Sequence, residues 1–247
     1  MPVFLLLIFG VWQIIIKLGD MPPYILPAPT SVWRKLLTVL ENGDLWRHTR
    51  ITLLESFYGF ISALVFAAVV GYILAKSPWL EKLVSPYLVA AQTVPLIALA
   101  PLLVVWLGFG IASKVFIAFV IVFFPMLINT IVGIRLVNEE QRELMRSYSA
   151  SHWHVFSKLE LPSALPLLLG GLKIGITLAL TGAMVGEYVG SSYGLGFMIL
   201  HSKQKFDTAE VFVTIFALVI INVVLYAAVS ALESVLLSGR RREESTL

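Results

Sequence analysis

The sequence predicts an all-α integral membrane protein with about six transmembrane helices, and two observations carry that prediction. Hydrophobic residues make up 58% of the 247 and charged residues 13%, against about 45–50% and about 25% in a soluble domain. A globule of that composition would hold large apolar patches in water, which excludes an ordinary soluble enzyme. A mean hydropathy of +0.89 excludes disorder as well. The second observation is the arrangement: apolar runs of spanning length alternate with turn residues and charges. With no Cys, disulfides, thiolate metal sites and cysteine nucleophiles are excluded. The net charge of +3 is scattered along the chain and gives no nucleic-acid footprint.

A helix needs roughly 20 apolar residues to cross a hydrocarbon core of about 30 Å. Six runs approach or meet that length, at about 3–16, 51–75, 83–107, 115–134, 165–189 and 211–237. The first lacks the basic flank and small-residue cleavage site of a signal peptide, so it reads as an uncleaved span. The third contains Pro95 and Pro101, and the fourth Pro125; each removes a backbone donor and favours a kink. The fifth carries Gly170, Gly171, Gly175, Gly182 and Gly186. Small residues serve close helix packing, whereas broken helices in adjacent spans point to a transport pathway.

Between the first two runs, Pro22, Pro23, Pro27 and Pro29 precede Thr30 and Ser31, either of which suits an N-cap. Val32, Leu36, Val39 and Leu40 then follow at helical spacing beside Trp33, Arg34 and Lys35, which predicts an interfacial helix over about 31–40. With an even number of spans the two termini share a side. The Arg240, Arg241 and Arg242 cluster favours cytoplasmic termini, although Lys and Arg are otherwise nearly balanced between the sides.

The loop over 137–166 is the most informative segment. It is long and polar, rich in helix formers, and interspersed with Tyr148, Trp153 and Phe156. Such aromatic residues anchor a partner's groove, or let an amphipathic helix rest on lipid headgroups. Composition leaves both readings open.

The spacing within this loop resembles the EAA loop in the inner-membrane permease subunits of binding-protein-dependent ABC importers. Glu143-Leu144-Met145 falls on that family's Glu-Ala-Ala triplet, Ser149 on its Gly, and Leu159-Glu160-Leu161-Pro162 on its closing hydrophobic-x-Leu-Pro. The likeness extends over most of the chain and is to the nitrate/sulfonate/taurine-type branch, which includes riboflavin and thiamine-precursor permeases. It runs through Leu26-Pro27-Ala28-Pro29 with Val32, Thr52-Leu53 with Gly59-Phe60, and Pro95, Pro101, Trp106, Gly108 and Gly110. It continues through Phe123-Phe124-Pro125 with Asn129-Thr130, and through Glu187 to Gly194-Leu195-Gly196 with Phe206-Asp207 and Val211-Phe212. The chain departs from the family where Leu144 and Met145 replace Ala, and where Ser149 replaces a Gly with more backbone freedom.

The resemblance implies a single transmembrane domain over 1–247 that forms the pathway of an ATP-driven importer for a small solute, in a bacterial or archaeal inner membrane. It implies a second permease subunit, expected as a homodimer partner, two copies of an ATP-binding subunit, and an extracytoplasmic solute-binding protein. It also assigns ATPase coupling, by position in the matched loop, to Glu143, Ser149, Ala150, Ser151 and Trp153. The chain itself has no G-x-x-x-x-G-K-[ST] phosphate loop, so ATP hydrolysis belongs to a partner.

Gln92, Thr93, Pro95, Asn129 and Glu187 are candidate pathway or gate residues, because intramembrane polar groups are costly to bury. Bridging between helices is the plainer role for Gln92, Thr93 and Asn129, and contact with water at the outer face is the plainer role for Glu187. Glu55 and Lys173 lie near span ends, where snorkelling is expected. No catalytic residue, metal ligand or cofactor is assigned: H-E-x-x-H is absent, and His152 and His154 fall on opposite sides of a helix. A six-helix secondary transporter or channel is the alternative function, but it leaves the structured loop without a purpose. The transported solute is not legible. The apolar, aromatic third and fourth spans, with no basic residue at mid-span, suit a heterocycle at least as well as an anion.

Overall fold

The computed structural model describes the backbone of residues 2–244 and the side chains of residues 7 and 10–237, so the arginine cluster of the tail lies outside the described side chains. Eleven helices follow one another among the described residues: α1 (Pro2–Gly19), α2 (Pro29–Glu41), α3 (Asp44–Lys76), α4 (Pro78–Thr93), α5 (Leu96–Leu107), α6 (Ile111–Arg135), α7 (Glu139–Ser147), α8 (His152–Val155), α9 (Leu161–Gly190), α10 (Leu195–Gln204) and α11 (Thr208–Glu244). A π-helical turn, Phe156–Glu160, joins α8 to α9 without interruption.

Four of these stretches are long and apolar enough to span a bilayer unbroken: α3, α6, the continuous run over 152–190, and α11. The expected third span is instead two helices, α4 and α5, bent by 93° at a break between Thr93 and Leu96. Pro95 lacks an N–H and disfavours helical geometry at the residue before it, and Val94 is accordingly extended at ψ 123°. Pro125 has no such effect, and α6 runs through it from Ile111 to Arg135. In α1 the described apolar stretch, Gly10–Gly19, is shorter than a span. Among the described residues there are thus four unbroken spans and one broken one, by length and composition.

The core is the packing of α3, α6 and α9 on one another. Ala118 of α6 sits between two glycines. A Cβ at Gly182 of α9 would fall 2.6 Å from the Ala118 backbone, and one at Gly59 of α3 would fall 2.5 Å from its side chain. Small residues thus bring the three helices into backbone contact, as they do where apolar lipid supplies no hydrophobic drive to associate. This settles most of the fifth-span glycines as packing residues. Around that contact Phe60, Ala63, Ala67, Val122, Met126, Leu127, Ile176 and Ala179 form a buried apolar layer.

The helix expected over about 31–40 forms as α2, which buries Val32 and Val39 and leaves Trp33 exposed. Proline in its first turn suits a position whose N–H would be free anyway. The Lys35 ammonium bonds Asp207 at 2.5 Å and approaches Glu210 at 3.7 Å, tying α2 to the start of α11. The bond to the Asp207 carboxylate raises the Lys35 pKa above its ordinary value, against the lowering effect of partial burial.

Candidate functional site

Two polar clusters lie at opposite ends of the three-helix core. The first is built by the loop that follows α6. Asn138 caps α7, its side chain accepting from the Glu140 N–H at 3.1 Å. Glu139 and Glu140 in the first turn and Arg146 in the last complement the helix dipole. The chain then reverses at Ser149, whose φ of +51° lies in the left-handed region. This is the position at which the matched pattern has Gly, and the turn explains why: a Cβ there is disfavoured by about 1–2 kcal/mol.

Ser151 starts α8, accepting from the His154 N–H at 3.3 Å and pairing with His154 Nδ1 at 2.8 Å. Of the predicted coupling residues, Glu143, Ser149, Ser151 and Trp153 are exposed and Ala150 is half-buried. Trp153 is 70% exposed and Tyr148 77%. Trp153 also leans on Phe156, which packs edge-on against Tyr72 of α3. A largely apolar cleft of about 530 Å³ opens beside these rings, walled by Ile73, Thr130, Ile134 and Leu168.

Beneath the loop lies a charged cluster that sequence reasoning missed. Glu160, in the variable position of the Leu-Glu-Leu-Pro close, is fully buried. Its carboxylate bonds Lys76, accepts from the Tyr72 hydroxyl at 3.2 Å, and lies 3.5 Å from the Arg142 guanidinium. Arg142 also donates to the Ile134 carbonyl at the end of α6. The available signal was a carboxylate inside an otherwise apolar motif, a residue type almost never fully buried unless paired.

The second cluster is at the other end. Glu187 is 1% exposed, so it does not meet water as expected; the turn after α9 folds over it. Its carboxylate accepts from the Thr52 hydroxyl at 2.6 Å and from the Gly196 N–H at 2.5 Å. Thr52 in turn accepts from the Leu195 N–H at 2.8 Å, and His48 Nδ1 accepts from the Gly194 N–H at 2.9 Å. The glycines of Gly194-Leu195-Gly196 are required here. Gly194 has φ +107°, and a Cβ on it would fall 2.1 Å from the Glu187 carboxyl carbon.

Glu55 is 3% exposed and sits against Glu187, so it does not snorkel. Helix α3 continues outward past it to Asp44, which carries Glu55 inside the bundle rather than to its edge. One of its carboxyl oxygens has no hydrogen-bond partner among the described residues. Lys114 completes the cluster, its three donors used by the carbonyls of Phe109 at 2.6 Å, Gly110 at 3.1 Å and Gly190. Lys173 likewise does not snorkel freely: it pairs with Glu233 of α11.

The remaining predicted pathway residues are not brought to this cluster. Gln92 and Thr93 bond carbonyls of their own helix, at Leu88 and Ala90, and stay exposed beside the 93° bend that Pro95 makes. Asn129 also bonds within its helix, to Pro125, so none of the three bridges helices. The run Gly190-Ser191-Ser192-Tyr193-Gly194 has the G-x-S-x-G spacing of a nucleophile elbow, which sequence reasoning passed over. Its context here is a turn between two helices, with none of the strand-to-helix geometry that exposes such a serine.

A core of spanning helices with a structured loop at one end and a closed polar cluster at the other is the architecture of an integral membrane protein. The chain belongs to the binding-protein-dependent transport system inner membrane component family, which matches residues 63–238. It is therefore a permease subunit of an ABC importer in an inner membrane, and such importers work with separate ATPase and binding-protein partners. Among its relatives, the riboflavin transport system permease protein RibX of Chloroflexus aurantiacus is 41% identical over 96% of this chain and 88% of the relative. The formylaminopyrimidine transport permease protein ThiX of Halalkalibacterium halodurans is 34% identical over 97% and 95%. The taurine permease TauC of Escherichia coli is 29% identical over 93% and 85%. Among solved structures, a chain of the MetNI methionine ABC transporter in inward-facing conformations has the same fold. Its TM-score is 0.62 at 17% identity, over 78% of this chain and 94% of that one.

Proposed function

We propose that the whole chain acts as one transmembrane domain, in a homodimer served by two ATPase subunits, with the 139–153 loop as the coupling contact. The loop side is then cytoplasmic, and the Glu55–Glu187 side faces the binding protein. The observation that carries this reading is the exposed Tyr148 and Trp153 on a loop otherwise anchored to the core. Large aromatics held out at a rigid site are what a partner's groove takes up as anchors. ATP binding closes the two ATPases, draws the two loops together, and turns the helices they carry, a rigid-body change.

For the cargo we propose a flavin or a similar aromatic heterocycle. The 41% identity to a riboflavin permease supports this. So does the run of stacked rings along α6, Phe116, Phe119 and Phe123, with Phe66 of α3 set edge-on. The three lysines of the core helices are already paired, Lys114 with carbonyls, Lys76 with Glu160 and Lys173 with Glu233, which leaves none of them to attract an anion.

Co-purification of the tagged chain from its native membranes tests the assembly, and recovery of a P-loop ATPase is the expected result. Ala150→Asp places a charge in the contact and is expected to abolish solute uptake while the chain still inserts. Wild-type uptake in that variant overturns the coupling assignment. For the cargo, riboflavin and taurine are offered in parallel to vesicles holding the complete importer, and uptake of taurine alone overturns the heterocycle reading.

A further inference from the structure

Arg142 carries α7 onto the core, touching α6 directly and reaching α9 and α3 through Glu160. It donates to Ile134 of α6 and pairs with Glu160, which opens α9 and also holds Lys76 and Tyr72 of α3. A fully buried carboxylate is retained only where opposite charges and hydrogen bonds replace its water, and here the groups that do so come from two other helices, Lys76 and Tyr72 from α3 and Arg142 from α7. The π-helical turn ending at Glu160 adds to the significance of the place. Such turns disturb regular helix geometry, occur often at functional sites, and this one lies between α8 and the full length of α9.

We propose that Glu160 is the positioning residue that makes the coupling loop and the α3–α6–α9 core a single rigid body. A displacement of the loop then reaches the three helices together. Without the knot, α8 could pivot on the π-helical turn and leave the core behind. This inference rests on the coupling role proposed for the loop.

The chain has no Cys, so spin labels can be placed at chosen positions by substitution. Labels at Ser147→Cys on α7 and Val65→Cys on α3 report the distance between loop and core in the assembled importer, with and without ATP. In the otherwise wild-type chain the distance is expected to stay the same in both states. In Glu160→Gln it is expected to change on ATP binding while hydrolysis continues, the population of displaced loop rising by about fivefold or more, the lower end of usual coupling effects. Glu160→Asp, which keeps the charge, is expected to recover part of the fixed distance. A merely structural role would alter the distance without any dependence on ATP.

An ATP-independent distance in Glu160→Gln overturns the proposal. If that variant does not assemble, Arg142→Gln, which leaves the Glu160–Lys76 pair intact, decides by the same criterion. Failure of the underlying coupling reading is recognised separately, because Ala150→Asp would then support wild-type uptake.

Discussion

Glu187 and Gly196 lie nine residues apart, and the Gly196 N–H donates to the Glu187 carboxylate at 2.5 Å inside the closed end of the bundle. The bond folds the turn between α9 and α10 back onto α9, and Thr52 bonds the other carboxyl oxygen from α3. One side chain thereby fastens α3, α9 and α10 at the end away from the α7–α8 loop. The Glu-to-Gly-Leu-Gly pattern is thus one structural unit. The carboxylate supplies the acceptor, and the glycines leave room for it.

Gly194→Ala should damage this unit twice, by requiring φ +107° of an alanine and by placing a Cβ 2.1 Å from the Glu187 carboxyl carbon. A loss of about 1–3 kcal/mol is expected from strain and overpacking, read as a lowered unfolding midpoint in detergent. An unchanged midpoint would contradict the described turn.

Thr52→Val keeps the shape of the side chain but removes the hydroxyl that donates to Glu187 and accepts from the Leu195 N–H. Each group left unpaired costs about 1–3 kcal/mol, so marked destabilisation is expected, with Thr52→Ser close to wild type. Equal stability of the Val and Ser variants would show that the hydroxyl does not hold the two sides together.

Ser149→Gly should act in the opposite direction. The residue already adopts φ +51°, and removing its Cβ relieves about 1 kcal/mol of left-handed strain, less the greater backbone freedom of Gly in the unfolded chain. Slower amide exchange across 147–151 with coupling retained is the expected outcome. Faster exchange there would mean that the serine side chain stabilises the turn.

The sequence by itself determined the membrane class, the helical content, the position of the helix α2 and the position of the loop. These follow from local quantities: apolar run length, turn chemistry, and spacing within a motif. It offered Pro95, Pro101 and Pro125 alike as kinks, but the chain breaks only at Pro95, through 93°, while α5 and α6 run through the other two. Only the tertiary structure decided the fate of the charged residues. Glu55, near a span end, reads as a residue at a water boundary, and Glu160 reads as a filler position in a motif; both are buried. The partners that make burial tolerable are remote in the chain. Lys76 is 84 positions from Glu160, and Thr52 is 135 from Glu187. The cost of burying a charge depends on which groups surround it in space, and hydrophobic periodicity carries no record of that.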